Sequence, residues 1–482
     1  NYAGGFNALN VREAEFNTEA LVTANGSRGR FDLNAVVGGN VRRNTFGTSQ
    51  VSTLGLSVPG IYNVSNAAIT PTLFQNDTRR GINSVLGSLS VTMNKYWTVD
   101  VTGRNDWSST LPQGSNSFFY PSASTSLVLS DLFPAIQGKL DFLKLRASAA
   151  QTGNDPSPYQ LATVFVGQPN KFGSLPQFTL SNTLANANLK PERTNEVQGG
   201  FELAALDNRV TLDATYYERR TNDQLITLPL SPTTGFAAQQ INAGSVSNKG
   251  FEALLTVIPI RNKGGFTWTS TLNFNRNRSR VEELAPGLQT VVLGTSWSVN
   301  VEARQGQANG ILFGNPFLRD STTGQLVLTN GIGGWNNEVR YKAVRLSALV
   351  DVRRGGSVFS VSNMFGTYTG VFSNTLAGRE VDWDDPGLIV QGIDSRTRQP
   401  NTTTVTAEDY YQSLYGIHEA FVYDASFLKL RELRLGWDVP QRLLGRLNVR
   451  TANLSLVGRN LFLNTKVPNI DPETTLSTGN VQ

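Results

Sequence analysis

Apolar and polar residues alternate with a period of two through most of this chain, which limits the fold to sheets with two unlike faces. From Phe266 to Arg276, Phe266, Trp268, Ser270, Leu272 and Phe274 share one face, while Thr267, Thr269, Thr271, Asn273 and Asn275 share the other. Trp97, Val99, Val101, Gly103 and Trp107 likewise oppose Thr98, Asp100, Thr102, Arg104 and Asp106. Val210, Leu212, Ala214 and Tyr216 oppose Thr211, Asp213 and Thr215, and Val85, Leu89, Val91 and Met93 oppose Asn83, Ser88, Ser90 and Thr92. One apolar and one polar face describe a sheet standing between two media.

The alternation predicts fourteen strands: 10–23, 30–41, 82–93, 96–108, 118–130, 141–153, 194–206, 209–222, 247–260, 266–280, 338–353, 357–366, 426–439 and 450–463. Most exceed the soluble norm of about 5–6 residues and reach the about 9–11 that a tilted strand needs to cross a bilayer. Every second connection is short: Asn25–Gly29, Asn94–Lys95, Asp207–Asn208, Arg261–Gly265 and Arg354–Gly356. Those at Asp131–Leu140 and Gln441–Val449 are compact, while 42–81, 154–193, 223–246, 281–337 and 367–425 are long. Short turns on one side and long loops on the other are the pattern of an outer-membrane β-barrel. Aromatics near strand ends (Trp97, Trp107, Trp268, Phe274, Trp437) suit its interfacial girdles.

Composition removes other classes. No apolar run approaches the about 20 residues of a membrane helix, and the mean hydropathy is −0.23. The 482 residues include no Cys, which excludes thiolate metal sites, iron–sulfur clusters and Cys nucleophiles. The single histidine, His418, cannot build a His-based triad or a multi-His metal site, and is expected to be an exposed loop residue beside Glu419. The 42 basic and 37 acidic residues form no like-charged run, so nucleic acid is not expected as a partner. No P-loop or G-x-S-x-G element occurs, and Asp382, Asp384 and Asp385 around Trp383 read as a solvated turn before Pro386. No enzymatic activity, cofactor or metal is expected.

Several motifs carry a resemblance. They are Leu189–Glu196 (LKPERTNE), Ala214–Leu225 (ATYYERRTNDQL), Asn242–Glu252 (NAGSVSNKGFE), Ser426–Glu432 (SFLKLRE), Trp437–Pro440 (WDVP), Gly458–Phe462 (GRNLF) and Ile470–Glu473 (IDPE). In this order and spacing the chain resembles the SusC/RagA family of TonB-dependent outer-membrane transporters over roughly residues 80 to 475. The motifs mark a fold and have no catalytic meaning: Gly250 permits a bend out of a loop, and Pro440 ends a strand.

The resemblance implies an all-β, transmembrane antiparallel β-barrel of 22 strands with an N-terminal plug. The fourteen strands here would then be strands 8 to 21, so that residues 1–482 form a partial barrel from which plug, TonB box and last strand are expected to be absent. The implied function is active import of oligosaccharides or peptides across the bacterial outer membrane. TonB would engage through the missing N-terminal region, a SusD-like surface lipoprotein would sit on the loops, and outer-membrane lipid would surround the wall. The alternatives are a passive porin or structural barrel, and a soluble carbohydrate-binding β protein. Aromatics of the long loops are the candidate substrate or partner contacts: Trp335, Trp383, Tyr410 and Tyr411.

Overall fold

The computed structural model describes residues 4–136, 140–168, 172–315, 331–379, 387–392, 399–445 and 449–473. Fourteen long strands make one sheet in chain order: β1 (Gly5–Arg28), β2 (Phe31–Leu54), β3 (Thr72–Met93), β4 (Trp97–Ser108), β5 (Ser117–Val128), β6 (Phe142–Asn154), β7 (Glu192–Ala205), β8 (Val210–Asn222), β9 (Ser245–Arg261), β10 (Phe266–Glu283), β11 (Gly331–Tyr341), β12 (Val344–Arg354), β13 (Phe427–Asp438) and β14 (Asn453–Thr465). Among the described residues no helix is long and apolar enough to cross a membrane. The chain divides into two compact units, Asn1–Pro134 with Lys144–Gly199 and Tyr217–Ser247, and Ala135–Leu143 with Gly200–Tyr216 and Asn248–Gln482.

In the first unit the registers carry the alternation from strand to strand. Leu89 lies opposite Val101, Val101 opposite Ala123 and Ala123 opposite Ala149. One residue along, Ser90, Asp100, Ser124 and Ser148 line up on the other face. The polar face is hydrogen-bonded: Ser124 Oγ donates to Asp100 at 3.0 Å, Thr102 and Ser122 stand 2.6 Å apart, and Arg104 reaches Asp106 at 2.7 Å. The apolar face is the accessible one. Val22 is 75% exposed, Val37 62% and Val101 51%. A soluble sheet buries its apolar face; this one displays it, as a wall in lipid does. On β2 that face reads Phe31, Leu33, Ala35, Val37, Gly39, Val41 and turns polar at Arg43. Phe31 to Val41 is a stretch of eleven residues, matching the about 9–11 that a tilted strand needs to span, and β1 and β2 run about a dozen residues further.

In the second unit the same geometry is richer in aromatics. Phe266, Tyr341, Val344, Trp437 and Leu454 form one row across β10 to β14, and Trp268, Val339, Leu346, Leu435 and Leu456 the next. The first row sits at the end carrying the tight turns, where an aromatic girdle belongs.

The loop expected at 42–81 shrinks to 55–71, because β2 runs on to Leu54 and β3 begins at Thr72, and two expected strands are wrong. The continuous strand 338–353 is two strands, broken by a tight turn at Lys342–Ala343 with Lys342 left-handed at φ 53°. The strand 357–366 does not exist in the sheet. Ser357–Phe359 pairs with Val422–Asp424, and helix α1 (Val361–Tyr368) follows. Ser360 starts that helix by accepting the Asn363 N–H on its side chain, the ordinary N-cap role of serine. The two errors compensate, and the strand count stays fourteen.

Candidate functional site

Two long connections of the second unit fold into one body. The β10–β11 connection contains a three-stranded sheet, Thr290–Ser296, Val299–Arg304 and Asn309–Phe313. The β12–β13 connection contains α1 and, later, helix α2 (Ala407–Ser413), which Thr406 caps by accepting the Asp409 N–H at 3.0 Å. Glu408 and Asp409 in its first turn complement the helix dipole. Val299, Phe359, Val361, Met364 and Phe421 are buried together, with Leu312, Phe365 and Tyr415 packed around them. Trp297 meets Phe365 edge-on at 4.9 Å, and Phe365 meets Tyr415 at 5.6 Å. A five-residue buried core is small but sufficient to hold loops in one arrangement, since each large apolar side chain contributes about 1.5–3 kcal/mol when fully buried.

His418, expected to be exposed, is buried at the junction of these two connections. Its Nδ1 accepts the Asn315 N–H at 3.1 Å, and its ring stands edge-on to Phe359 at 5.9 Å. Burial pushes its pKa below the ordinary imidazole value, which favours the neutral ring whose Nδ1 can accept. Asn315 completes the junction, its side chain donating to Gly416 C=O at 3.2 Å and its carbonyl accepting the Glu419 N–H at 3.1 Å. Gly314 fits closely there: a Cβ would lie 3.1 Å from His418 Cβ and 3.2 Å from Nδ1, tight enough that the ring would have to shift by a few tenths of an ångström. Beside the junction is a cavity of about 720 Å³, bordered by residues 308–315, Ser279, Arg353, Gly356, His418 and Glu419.

The four expected contact residues separate. Tyr410 and Tyr411 lie together in α2 with rings 5.0 Å apart, and Tyr411 is buried with its hydroxyl donating to Ala377 C=O at 3.4 Å. Burial raises the Tyr411 pKa. Trp335, expected in a loop, is a strand residue of β11 opposite Leu272 and Val350 on the apolar face, with its indole N–H on Ser270 Oγ at 2.9 Å. The loop position was wrong because β11 starts seven residues before the expected strand. Trp383, with Asp382, Asp384 and Asp385, lies outside the described residues.

The family-like motifs prove to be fasteners. In the first unit Asn242 accepts the Lys190 N–H at 2.8 Å and donates to Lys190 C=O at 2.7 Å and Asp223 C=O at 3.0 Å. Glu192 accepts the Leu225 N–H at 2.8 Å, and Arg219 pairs with Glu196 at 2.7 Å. One amide and two carboxylates thus tie LKPERTNE, ATYYERRTNDQL and the NAGS segment together. In the second unit Lys429 pairs with Asp471 and Glu473, and Arg431 with Asp351 and Glu473. That network joins KLRE to the DPE that follows β14. Sequence reasoning missed it, although Lys429 and Arg431 interrupt an apolar strand, which is its visible signal.

The profile described as "TonB dependent receptor-like, beta-barrel" matches residues 1–461. The chain is 26% identical over 481 residues to TonB-dependent receptor P3 of Formosa agariphila, covering 87% of this chain and 45% of that protein. It is 28% identical over 219 residues to TonB-dependent receptor SusC of Bacteroides thetaiotaomicron, covering 44% of this chain and 22% of that one. Its fold is similar to a structure titled "Structure of the RagAB peptide transporter", with a TM-score of 0.75, 21% identity, and coverage of 97% of this chain and 54% of that chain. The chain therefore spans about half the length of the relatives it matches.

Proposed function

Because the chain belongs to the family of TonB-dependent receptor-like β-barrels, we propose that it forms the later part of the wall of a SusC-like importer in the bacterial outer membrane. The importer moves oligosaccharides or peptides and performs no chemistry on them. The observation that carries this reading is the inverted sheet, with an exposed apolar face of membrane-spanning length and a hydrogen-bonded polar face lining the other side. A polar lumen of Thr, Asn, Asp and Arg suits hydrated cargo too large for simple diffusion. Energy would come from TonB through an N-terminal region, and a SusD-like surface lipoprotein would close over the folded long loops. Trp383 and Tyr410 are the loop aromatics assigned to cargo or lipoprotein contact, while Tyr411 is buried within the loop body and Trp335 stands on the apolar face of the wall.

Uptake of labelled oligosaccharides and peptides by cells carrying the full-length protein, with and without functional TonB, tests this reading. Import that stops without TonB supports it. Equal uptake in both strains would establish a passive pore.

A further inference from the structure

Among the described residues, the outer strand of the loop sheet, Asn309–Phe313, is paired on one side only, with Val299–Arg304. The hairpin that opens the sheet fixes which of its peptide groups face outward. Trp297 and Ser298, both left-handed, make a two-residue turn closed by Ser296 and Val299. The pair flanking such a turn exchanges both hydrogen bonds, and bonding then alternates along the strand. The irregularity at Leu293 lies on the other strand and leaves this alternation intact. Val299, Val301 and Ala303 therefore bond toward Thr290–Ser296, while Asn300 and Glu302 bond toward the outer strand. Leu312, opposite Val301, and Asn309, opposite Ala303, turn their peptide groups away. Asn309 behaves accordingly, its N–H donating to Ser279 Oγ at 3.3 Å. At the far end Asn315 is tied to His418 and Glu419. Between these tethers residues 310–314 border the 720 Å³ cavity, a stretch of about 17 Å at about 3.4 Å per residue.

A strand edge open to a cavity offers alternating N–H and C=O groups, and the ligand that matches them is an extended peptide adding itself as the next strand. The rest of the lining agrees. Gly310, Gly314 and Gly356 present no side chain to hold a backbone off, Leu312 and Val422 supply apolar walls, and Arg353 and Glu419 bring charges of both signs. A sugar site is usually floored by the open face of an aromatic ring, whose rigid amphipathic surface suits it. Phe313, the phenyl ring in this lining, has Arg304 over one face at 4.1 Å, so that face offers a sugar no stacking surface. We propose that this cavity binds a peptide segment in extended form along residues 310–314, making peptides the cargo class recognised at this site. The inference rests on the reading of the long loops as the cargo-facing part of an importer.

The test uses the full-length protein in detergent and a library of end-blocked octapeptides, with a counterpart library N-methylated at every amide so that neither edge of the peptide keeps its donors, and maltoheptaose as the sugar probe. The expected result is peptide retention that falls at least tenfold on N-methylation, since the methyl group removes the donors a strand edge needs. Ala308→Trp, which adds a large ring to the lining of the cavity, should abolish retention, and Leu312→Pro, which deletes an outward N–H at a site where an edge strand tolerates proline, should weaken it about tenfold. Equal retention of the two libraries, or maltoheptaose binding that Ala308→Trp removes while peptides do not bind, would overturn the proposal. TonB-dependent uptake with a flat N-methyl scan would sink this inference alone. TonB-independent uptake with a steep scan would sink the importer reading and leave the peptide site standing.

Discussion

Lys429 and Asp471, 42 residues apart in the chain, hold their charges 2.6 Å apart, and Glu473 joins them at 2.9 Å. The lysine side chain is 5% exposed while the two carboxylates remain about a third or more accessible. The chain after β14 is thereby drawn back against β13, and Asn363 adds a bond from its side-chain amide to Pro468 C=O at 2.8 Å.

Removing that cation should loosen the tail. Lys429→Met leaves Asp471 and Glu473 without their shared partner, and the solvation they retain keeps the loss below the about 3–5 kcal/mol of a sealed pair. A cost of about 1–3 kcal/mol is expected. Burial works to raise both carboxyls, but hydrogen bonds and charge from Lys429 and Arg431 outweigh it and hold them below the usual carboxylate range. A depressed acid contributes stability above its unfolded pKa and loses it as pH falls through the folded value. Protection of residues 467–473 from amide exchange should therefore persist through pH 5 and disappear only below the ordinary carboxylate range. Unchanged exchange in Lys429→Met would show that the network does not hold the tail.

Charge on the apolar face should be costly where charge on the polar face is not. Val101 lies between Leu89 and Ala123, and Val101→Arg should cost about 2–4 kcal/mol if this row lies near the bilayer midplane. Thr102 faces the other way and bonds Ser122, so Thr102→Arg should cost about 1 kcal/mol, the value of one lost hydrogen bond. Folded fractions in urea titrations of lipid-reconstituted protein measure both. Equal losses would mean that the two faces meet the same medium.

The sheet was legible because alternation is a property of each strand alone. Trp268, Leu272 and Phe274 state their face without knowledge of β11. The turn at Lys342–Ala343 was not, since it contains no Gly, Pro or Asn and interrupts a run of strand-forming residues. Gly355 and Gly356 looked like the missing turn and do adopt left-handed angles, but they lead into Ser360 and a helix. The loop body was hidden for a different reason. Val299 and Phe421 pack together across more than a hundred residues of sequence, and nothing local in either segment announces the other. His418 followed the same rule: its polarity suggested solvent, while its partner is the backbone N–H of Asn315.

The amide of Asn242 makes three hydrogen bonds to backbone, two of them with Lys190. Asn242→Leu is nearly the same size and can make none, so it leaves a peptide N–H and two carbonyls unmatched. A loss of about 1–3 kcal/mol is expected, less where water reaches the freed groups. Asn242→Asp keeps the acceptor for Lys190 N–H and loses the donors, so it should fall between. Limited proteolysis across residues 185–192 and 223–244 should rank native, Asp and Leu forms in that order of resistance. A reversed or flat ranking would mean that the motifs are held by packing alone.

His418 makes the junction of the two folded loops sensitive to mild acid. Burial depresses its pKa from the ordinary value of about 6.5. Between that value and the lower folded one, the opened loops bind a proton that the closed junction refuses, so stability rises with pH in this window. The closed form is fully favoured above about pH 6.5 and loses ground as pH falls, because a protonated Nδ1 cannot accept the Asn315 N–H. Amide exchange in residues 309–315 and 414–422, corrected for intrinsic rates, should therefore lose protection between pH 7.5 and pH 5. As the chain's single histidine, it can be removed cleanly. His418→Asn offers a carbonyl oxygen as acceptor that does not titrate in this range, and its protection should stay level across the same pH values. Glu419 and Arg353 border the same cavity, so Glu419→Gln serves as the control and should keep the native pH response. A response that survives His418→Asn and disappears with Glu419→Gln would move the switch to the carboxylate.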